Sequence, residues 1–437
     1  MKLRIYMDNT MKKVFLAVLC TLFAFSDTFA QNEVSGVYVG GHIRRERPGT
    51  VKKLRNSGFT YVILFNVHVD TDGTLKTDGE TICKDGEYVF QKPQPNYQGD
   101  VRDLKTAPTS ISRIDICIGG WGNDSYTNIR NLINSQGVGP NSILYRNFKA
   151  LKEALPEVDA VNNDIEQDYD VNSAAKFHVM MYDLGYLTTL APYTYKSYWT
   201  QLCSKILAER PGAVDRVMVQ CYDGGAGNTN SVGSWTFAGV SNRHAGRTNY
   251  QTDMNTSLAQ FQKWKDDGVA NGGFVWVYND ETWDLNAWAS GMNRIFGAVS
   301  VPEDKVAVRC YSEKNYKGYC VPLPLGRFTQ ADLAVYGLTA KDLSSLELLD
   351  PDYRVTLFTT PDFTGAKITR KTSAKQLATN YDNNVCSIIV ESVATGIDNI
   401  AEDEGPRQEA TYNLAGQRTD KMQKGVNIVN GKKILIK

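Results

Sequence analysis

Asp159-Ala160-Val161-Asn162-Asn163-Asp164-Ile165-Glu166 is the stretch of this 437-residue chain on which its reading turns. Ala160–Ile165 reads as a strand. Residues two apart on a strand share a face and sit about 6.6 Å apart, so Asn162, Asp164 and Glu166 project together. Two acids on one face repel when both are ionised. The pattern therefore predicts a raised pKa and one carboxyl protonated near neutrality, a proton donor for which Glu166 is the candidate. An Asn/Asp-rich turn after a strand is the plainer reading of the same residues.

Outward from this stretch, roughly residues 34 to 300 alternate apolar runs with amphipathic ones. Strands are expected at Gly36–Gly40, Tyr61–Val67, Ile114–Ile118, Tyr186–Leu190, Arg216–Cys221 and Gly273–Val277 as well. Helices are expected at Thr50–Ser57, Tyr126–Ser135, Ser142–Leu155, Ala174–Leu184, Tyr198–Glu209 and Met254–Asp267. Such alternation argues a parallel sheet with crossover helices, hence an α/β fold and a (β/α)8 TIM barrel over 31–300. The eighth strand should lie between Tyr222 and Trp276, hidden by Gly/Asn/Ser-rich sequence. In a barrel, Glu166 would fall toward the C-terminal end of its strand, where active sites are built. The long segments Asp70–Asp100 and Gly224–Gln251 read as loops that shape the substrate site, or as plain insertions.

Charge and proline at Val301-Pro302-Glu303-Asp304-Lys305 mark a linker to a second domain over 304–393. There Tyr311-x4-Tyr316-x-Gly318 recurs as Phe358-x4-Phe363-x-Gly365, and each copy leads to a serine-bearing strand, at Ser344-Ser345 and Cys386-Ser387. Two such units read as an all-β double Greek key. Residues 394–437 form an acidic linker and a short β tail. That tail reads as a tiny hairpin unit, either a sorting signal or a strand that packs on a neighbour.

Residues 1–30 read as an export signal: Met11-Lys12-Lys13, the apolar run Val14 to Phe25, and Thr28-Phe29-Ala30 for cleavage. An extracellular, cell-surface or periplasmic location follows as an expectation, with no membrane span elsewhere. Seven cysteines remain beyond residue 30, an odd number, so at least one is unpaired; Cys310 with Cys320 is the local pair to consider. Lys plus Arg and Asp plus Glu balance at 48 each, which argues against a nucleic-acid partner. A neutral, flat ligand suits the 23 tyrosines and 7 tryptophans.

The octapeptide resembles the D-G-x-D-x-D-x-E signature of glycoside hydrolase family 18, the chitinases and endo-β-N-acetylglucosaminidases. Other segments are similar in the same order. Cys117-Ile118-Gly119-Gly120-Trp121 resembles S-x-G-G, and Leu187 to Pro192 resembles L-T-x-A-P. Val219-Gln220-Cys221-Tyr222 resembles a Q-x-Y strand, and Trp276 stands where the family keeps a tryptophan under the sugar. The resemblance implies substrate-assisted retaining hydrolysis of a GlcNAc-containing oligosaccharide or glycoprotein glycan. Glu166 would protonate the leaving oxygen and Asp164 would orient the substrate acetamido group. Asn162, Gln220, Tyr222, Trp276 and Trp121 would bind substrate, with no cofactor required. Asn162 departs from the family's aspartate, and is expected to lower activity or shift its pH optimum. A glycan-binding lectin on the same barrel is the alternative, and a scaffold working through the small domain is another. The small domain resembles a βγ-crystallin domain, which implies at most one weak calcium site, at Asp382, Asn383 and Ser387.

Overall fold

The computed structural model describes residues 29–45, 48–248, 253–278 and 283–393, together with four tail strands beyond residue 410. Residues 1–28 of the export reading and the acidic stretch 394–410 lie outside the described residues.

Eight parallel strands close into a barrel: β1 Ser35–Val39, β2 Tyr61–Val69, β3 Arg113–Gly119, β4 Ala160–Asp164, β5 Leu187–Leu190, β6 Val214–Val219, β7 Asn242–Gly246 and β8 Gly272–Tyr278. Each pairs with its neighbours in sequence, and β1 pairs with both β2 and β8. The crossovers run through α1 Gly49–Arg55, α2 Tyr97–Lys105, α3 Ser125–Gln136, α4 Ile143–Ala154, α5 Val171–Asp183, α6 Lys196–Glu209 and α7 Met254–Asp266. α8 Leu285–Phe296 follows β8. Strands covered on both faces read as near-continuous apolar runs, which is why β2 and β3 stand out in the sequence.

β7 carries Asn242, Arg243 and His244 and does not stand out. It pairs His244 with Met218 of β6 and Ala245 with Gly273 of β8. His244 is buried, its Nδ1 2.8 Å from the Tyr61 hydroxyl. Gly272 makes room for it, since a Cβ there would come within 2.4 Å of the imidazole. Asn242–Gly246 of the expected 224–251 loop is therefore barrel wall. The first half, Asp223–Asn230 and Val232–Ser234, forms short 3-10 turns. The 70–100 segment is ordered too: strands Leu75–Thr77, Glu80–Lys84 and Glu87–Tyr88 extend β2 antiparallel, and the start of α2 ends the segment.

Inside the barrel, Tyr38, Tyr61, Ile63, Met218, Tyr222 and Phe274 pack together, while a larger apolar core fills the space between strands and helices. Each fully buried side chain of this size contributes about 1.5–3 kcal/mol.

The second domain holds two sheets. β9 Val308–Glu313, β10 Lys317–Leu323 and β12 Ser345–Leu348 form one; β11 Gly326–Phe328, β13 Tyr353–Phe358, β14 Lys367–Arg370 and β15 Ser387–Ser392 form the other. β11 of the first repeat pairs with β15 of the second, and Ala374 of the second bridges Leu346 of the first, so the units exchange strands. The repeat seen in sequence is a repeat in space. Tyr316 and Phe363 both adopt left-handed backbone, with φ of 60° and 64°. Ser345 Oγ accepts from the Tyr316 N–H, and Ser387 Oγ from the Phe363 N–H.

The expected linker is a single 3-10 turn, Glu303–Lys305, and the two domains pack firmly. Helix α9, Gln330–Tyr336, lies on α8: Asn293 donates to the Ala334 carbonyl at 2.9 Å, and Ser290 Oγ sits 2.7 Å from Thr339 Oγ1. The Arg294 guanidinium stacks 3.7 Å over the Tyr319 ring. The described residues through Val393 form one compact unit. The tail strands belong to a separate unit and form a four-stranded antiparallel sheet, β16 Thr411–Asn413, β17 Arg418–Thr419, β18 Gly425–Val429 and β19 Lys432–Ile436, rather than a single hairpin. Among the described residues no helix is long and apolar enough to cross a membrane.

Candidate active site

Strand alternation sorts the octapeptide as its pattern demands. Val161 joins the outer core, and Asn163 turns toward α5, with its Nδ2 2.7 Å from His178 Nε2. Asn162 and Asp164 face inward. Asp159, the leading acid, does not reach the cleft. It holds the other end of the strand, bonded to Lys105 Nζ at 2.8 Å and accepting from the Ile114 N–H at 2.8 Å.

At the C-terminal mouth lies a cavity of about 650 Å3. Asp164, Glu166, Gln220, Tyr222, Trp276 and Trp121 line it, and so do Phe65, Tyr193, Asp223 and Gly224. None of these is a lysine or arginine. Trp276 is held edge-on by Phe65 at 4.6 Å and faces Tyr222, ring to ring, at 6.4 Å and 11°. Gln220 Nε2 donates to Asp164 Oδ1 at 2.7 Å and to the Ala191 carbonyl at 2.9 Å.

Gly119 and Gly120 bring β3 and β4 together at this mouth. Gly119 has φ of 108°, and a Cβ there would meet the Asp164 carbonyl oxygen at 2.2 Å. The Gly120 N–H donates to that same oxygen at 2.7 Å. The turn that follows brings the Trp121 backbone N–H toward the Glu166 carboxyl and leaves Trp121 89% exposed.

Burial, then the Glu166 charge, pushes the Asp164 carboxyl up to about 8, against the opposing Gln220 amide. Glu166 is only half-buried. Burial and the Asp223 charge raise its pKa as well, and the Trp121 N–H opposes them. The sequence pattern assigned the proton held near neutrality to Glu166. The stronger hold belongs to Asp164, because it lies deeper and the charged form loses more hydration there.

Asn162 is the second correction. It is fully buried a layer below the cavity, with Oδ1 accepting from Tyr38 Oη at 3.0 Å and Nδ2 3.4 Å from Met218 Sδ. One pleat repeat down the strand, the barrel is already filled by side chains, so Asn162 does not line the cavity. Sequence reading assigned no part to Phe65, Tyr193 or Asp223. Alternation with buried Tyr61 and Ile63 could have placed Phe65 inward; Asp223 follows Tyr222 directly.

Ser387 does not join Asp382 and Asn383. Its hydroxyl donates to the Thr360 carbonyl at 2.7 Å, and Ser344 of the first repeat takes the place expected for it, bonded to Asp382 Oδ1 at 2.7 Å and Asn383 Oδ1 at 3.1 Å. Strand exchange between the repeats causes this. Lys314 Nζ stands 3.1 Å from Asp382 Oδ2, so a tethered cation occupies the carboxylate. These residues do not fit a strong calcium site, which calls for several free oxygen ligands. Among the described residues no cluster of three or more His, Cys, Asp or Glu could hold a metal. The seven described cysteines are free thiols, Cys310 buried and Cys320 exposed.

Fold and site together define a TIM-like α/β barrel with an acid-bearing, aromatic-walled cleft at its C-terminal mouth, joined to a small β domain. No family model and no curated protein matches the chain. Solved structures similar to part of it include βγ-crystallin domains and the N-terminal domain of Protein S. The N-terminal domain of Protein S is 31% identical, with 20% of this chain and 97% of that one covered at a TM-score of 0.19. A βγ-crystallin domain from Flavobacterium johnsoniae is 28% identical, covering 20% and 98% at 0.20. One from Clostridium beijerinckii is 24% identical, covering 19% and 95% at 0.19.

Proposed function

We propose that this chain is an exported glycoside hydrolase of the family 18 type, cleaving β-linked N-acetylglucosamine glycans by substrate-assisted retention. One observation carries the reading: Asp164 and Glu166, both with raised pKa, share a cavity with Gln220, Tyr222 and Trp276. Glu166 gives its proton to the glycosidic oxygen, and half-burial beside Asp223 keeps that proton available at working pH. The 2-acetamido carbonyl of the −1 sugar attacks the anomeric carbon, displacing the leaving group and forming an oxazolinium ion. The carboxylate form of Asp164 accepts from the acetamido N–H and stabilises that cation, so substrate binding favours its ionised form. Gln220 and Tyr222 hydrogen-bond the acetamido group, Trp276 floors the sugar, and water activated by Glu166 then opens the oxazolinium ion. No cofactor enters.

The small domain is a double Greek key of the βγ-crystallin kind, and the strand exchange between its repeats supports that reading. The export reading rests on residues 11–30. A lectin on the same barrel is the second reading, favoured by Asn162, which cannot share a proton with Asp164. Product analysis on chito-oligosaccharides and on high-mannose and complex N-glycopeptides, unaltered chain beside Glu166→Gln, separates the two. Release of GlcNAc-terminated product by the unaltered chain alone supports the enzyme; tight binding by both with no product supports the lectin.

A further inference from the structure

Behind β4, between strand and helices, Val161 and Ile165 enter an apolar layer, and Asn163 stands between them. Asn163, His178 of α5 and Thr188 of β5 are all fully buried there. Polar side chains in such a layer cost stability unless their donors and acceptors are used. Here they are used, and the bonds run toward the acids.

β4 ends at Asp164. Its last pairings are Asn163 with Leu190 of β5 and Asp164 with Gly119 of β3, so the Ile165 N–H lies beyond the ladder. Asn163 Oδ1 accepts from that N–H at 3.0 Å. The Asp164 carbonyl, on the same peptide unit, accepts from the Gly120 N–H at 2.7 Å. The peptide that carries the chain from Asp164 toward Glu166 is therefore held at both of its polar ends.

A backbone N–H can only donate, and this fixes every other role. Asn163 must turn Oδ1 to Ile165, so its Nδ2 faces His178 Nε2 at 2.7 Å and that nitrogen accepts. The imidazole proton then sits on Nδ1, 3.0 Å from Thr188 Oγ1. Burial lowers the His178 pKa to about 3, which keeps the ring neutral and Nε2 able to accept. Tyr126 of α3 stacks on the ring at 6.4 Å and 28°, with its Oη 3.4 Å from Nε2, and Phe177 packs edge-on at 5.2 Å.

We propose that His178 is a positioning residue for Glu166: its Nε2 holds the Asn163 amide, and that amide holds the peptide from which Glu166 is aimed into the cavity. Without the acceptor the amide can flip, which would set its NH2 group against the Ile165 N–H, donor against donor. The peptide then shifts, and misplacing a reacting group by about 1 Å costs up to about 10²-fold in rate. The effect on turnover rests on the hydrolase reading above; the hold on Glu166 does not.

Two substitutions separate the two imidazole nitrogens. In His178→Gln the side-chain amide reaches the place of Nε2 and keeps an acceptor for Asn163. In His178→Asn it reaches only the place of Nδ1 and keeps the bond to Thr188. Both lose the ring and its packing, so both should lose Tm to a similar extent. On a GlcNAc substrate His178→Asn should lower kcat about 10–10²-fold with KM little changed, while His178→Gln stays within about threefold of the unaltered chain. Asn163→Ala, which leaves the imidazole and its packing in place, should repeat the His178→Asn result. A carbon-13 titration of the Glu166 carboxyl follows the acid without turnover. Its midpoint should move by about half a pH unit or more in His178→Asn and Asn163→Ala and stay in place in His178→Gln. Equal losses of kcat in the two His178 variants, or a midpoint that His178→Asn and Asn163→Ala leave where it was, overturn the positioning role. Cleavage by all four chains at one rate also sinks that role and leaves the hydrolase reading intact. If the unaltered chain cleaves no GlcNAc glycan while the midpoint moves as expected, the hydrolase reading falls and the hold of His178 on Glu166 stands.

Discussion

The two ends of one barrel treat acidic side chains in opposite ways. At the N-terminal end Arg113 bonds Asp115 at 2.6 Å and also pairs with Asp215, while Arg216 bonds Glu33 at 2.6 Å. Asp115 takes a further bond from Thr189 at 2.7 Å. At the C-terminal mouth Asp164, Glu166 and Asp223 share a cavity that, among the described residues, no lysine or arginine lines. A buried carboxylate bonded by a guanidinium braces the strands. One facing only amides, aromatic rings and other acids keeps its proton, at a cost to stability that serves chemistry.

Four experiments break or sharpen this contrast. The largest effect belongs to Glu166→Gln, expected to lower kcat on a GlcNAc substrate by about 10²–10⁴-fold with Tm little changed. Arg113→Met should do the reverse. Leaving Asp115 charged and buried without its partner costs about 3–5 kcal/mol in denaturant unfolding, while the surviving folded protein keeps its turnover.

Asp164→Asn comes next, and its sign is set by linkage. The folded chain holds the Asp164 proton up to about pH 8, and the unfolded chain releases it near the ordinary 3.8. The folded state therefore binds more protons between those values, and Asp164 lowers stability as pH rises through that window. The asparagine variant should be more stable by about 2–5 kcal/mol at pH 8, and the gain should vanish toward pH 4, as denaturation at several pH values will record. A gain independent of pH would mean that Asp164 is not held protonated.

The smallest effect lies in the small domain, where Lys314 meets Asp382 as the arginines meet acids at the barrel's base. Millimolar calcium should leave Tm within about 1 °C in the unaltered chain. Removing the tethered charge by Lys314→Ser should expose a weak calcium-dependent rise of a few degrees, in line with about 1–2 kcal/mol of binding linkage.

Most strands were legible because parallel strands, covered on both faces, are written as apolar runs, and period-two alternation placed Asp164 on the inner face. β7 was not legible, since its His244 and Arg243 are satisfied by Tyr61 and by the Val269 carbonyl and Thr236 hydroxyl from elsewhere in the chain. The octapeptide pointed to the mouth of the barrel, and Gln220, Tyr222 and Trp276 could be named for it through resemblance. Asn162 misled because alternation gives the face of a strand but not depth along the barrel.

By itself the sequence determined the barrel, the strand that carries the acids, and the doubled small domain, for these are properties of local period and repeat. Only the tertiary structure decided which acid keeps its proton. It also decided that Ser344, not Ser387, meets Asp382, and that Asn162 lies a layer below the cavity. Each of these depends on burial or on neighbours far along the chain, and the electrostatic cost of a charge is set by what surrounds it in space rather than by what adjoins it in the chain.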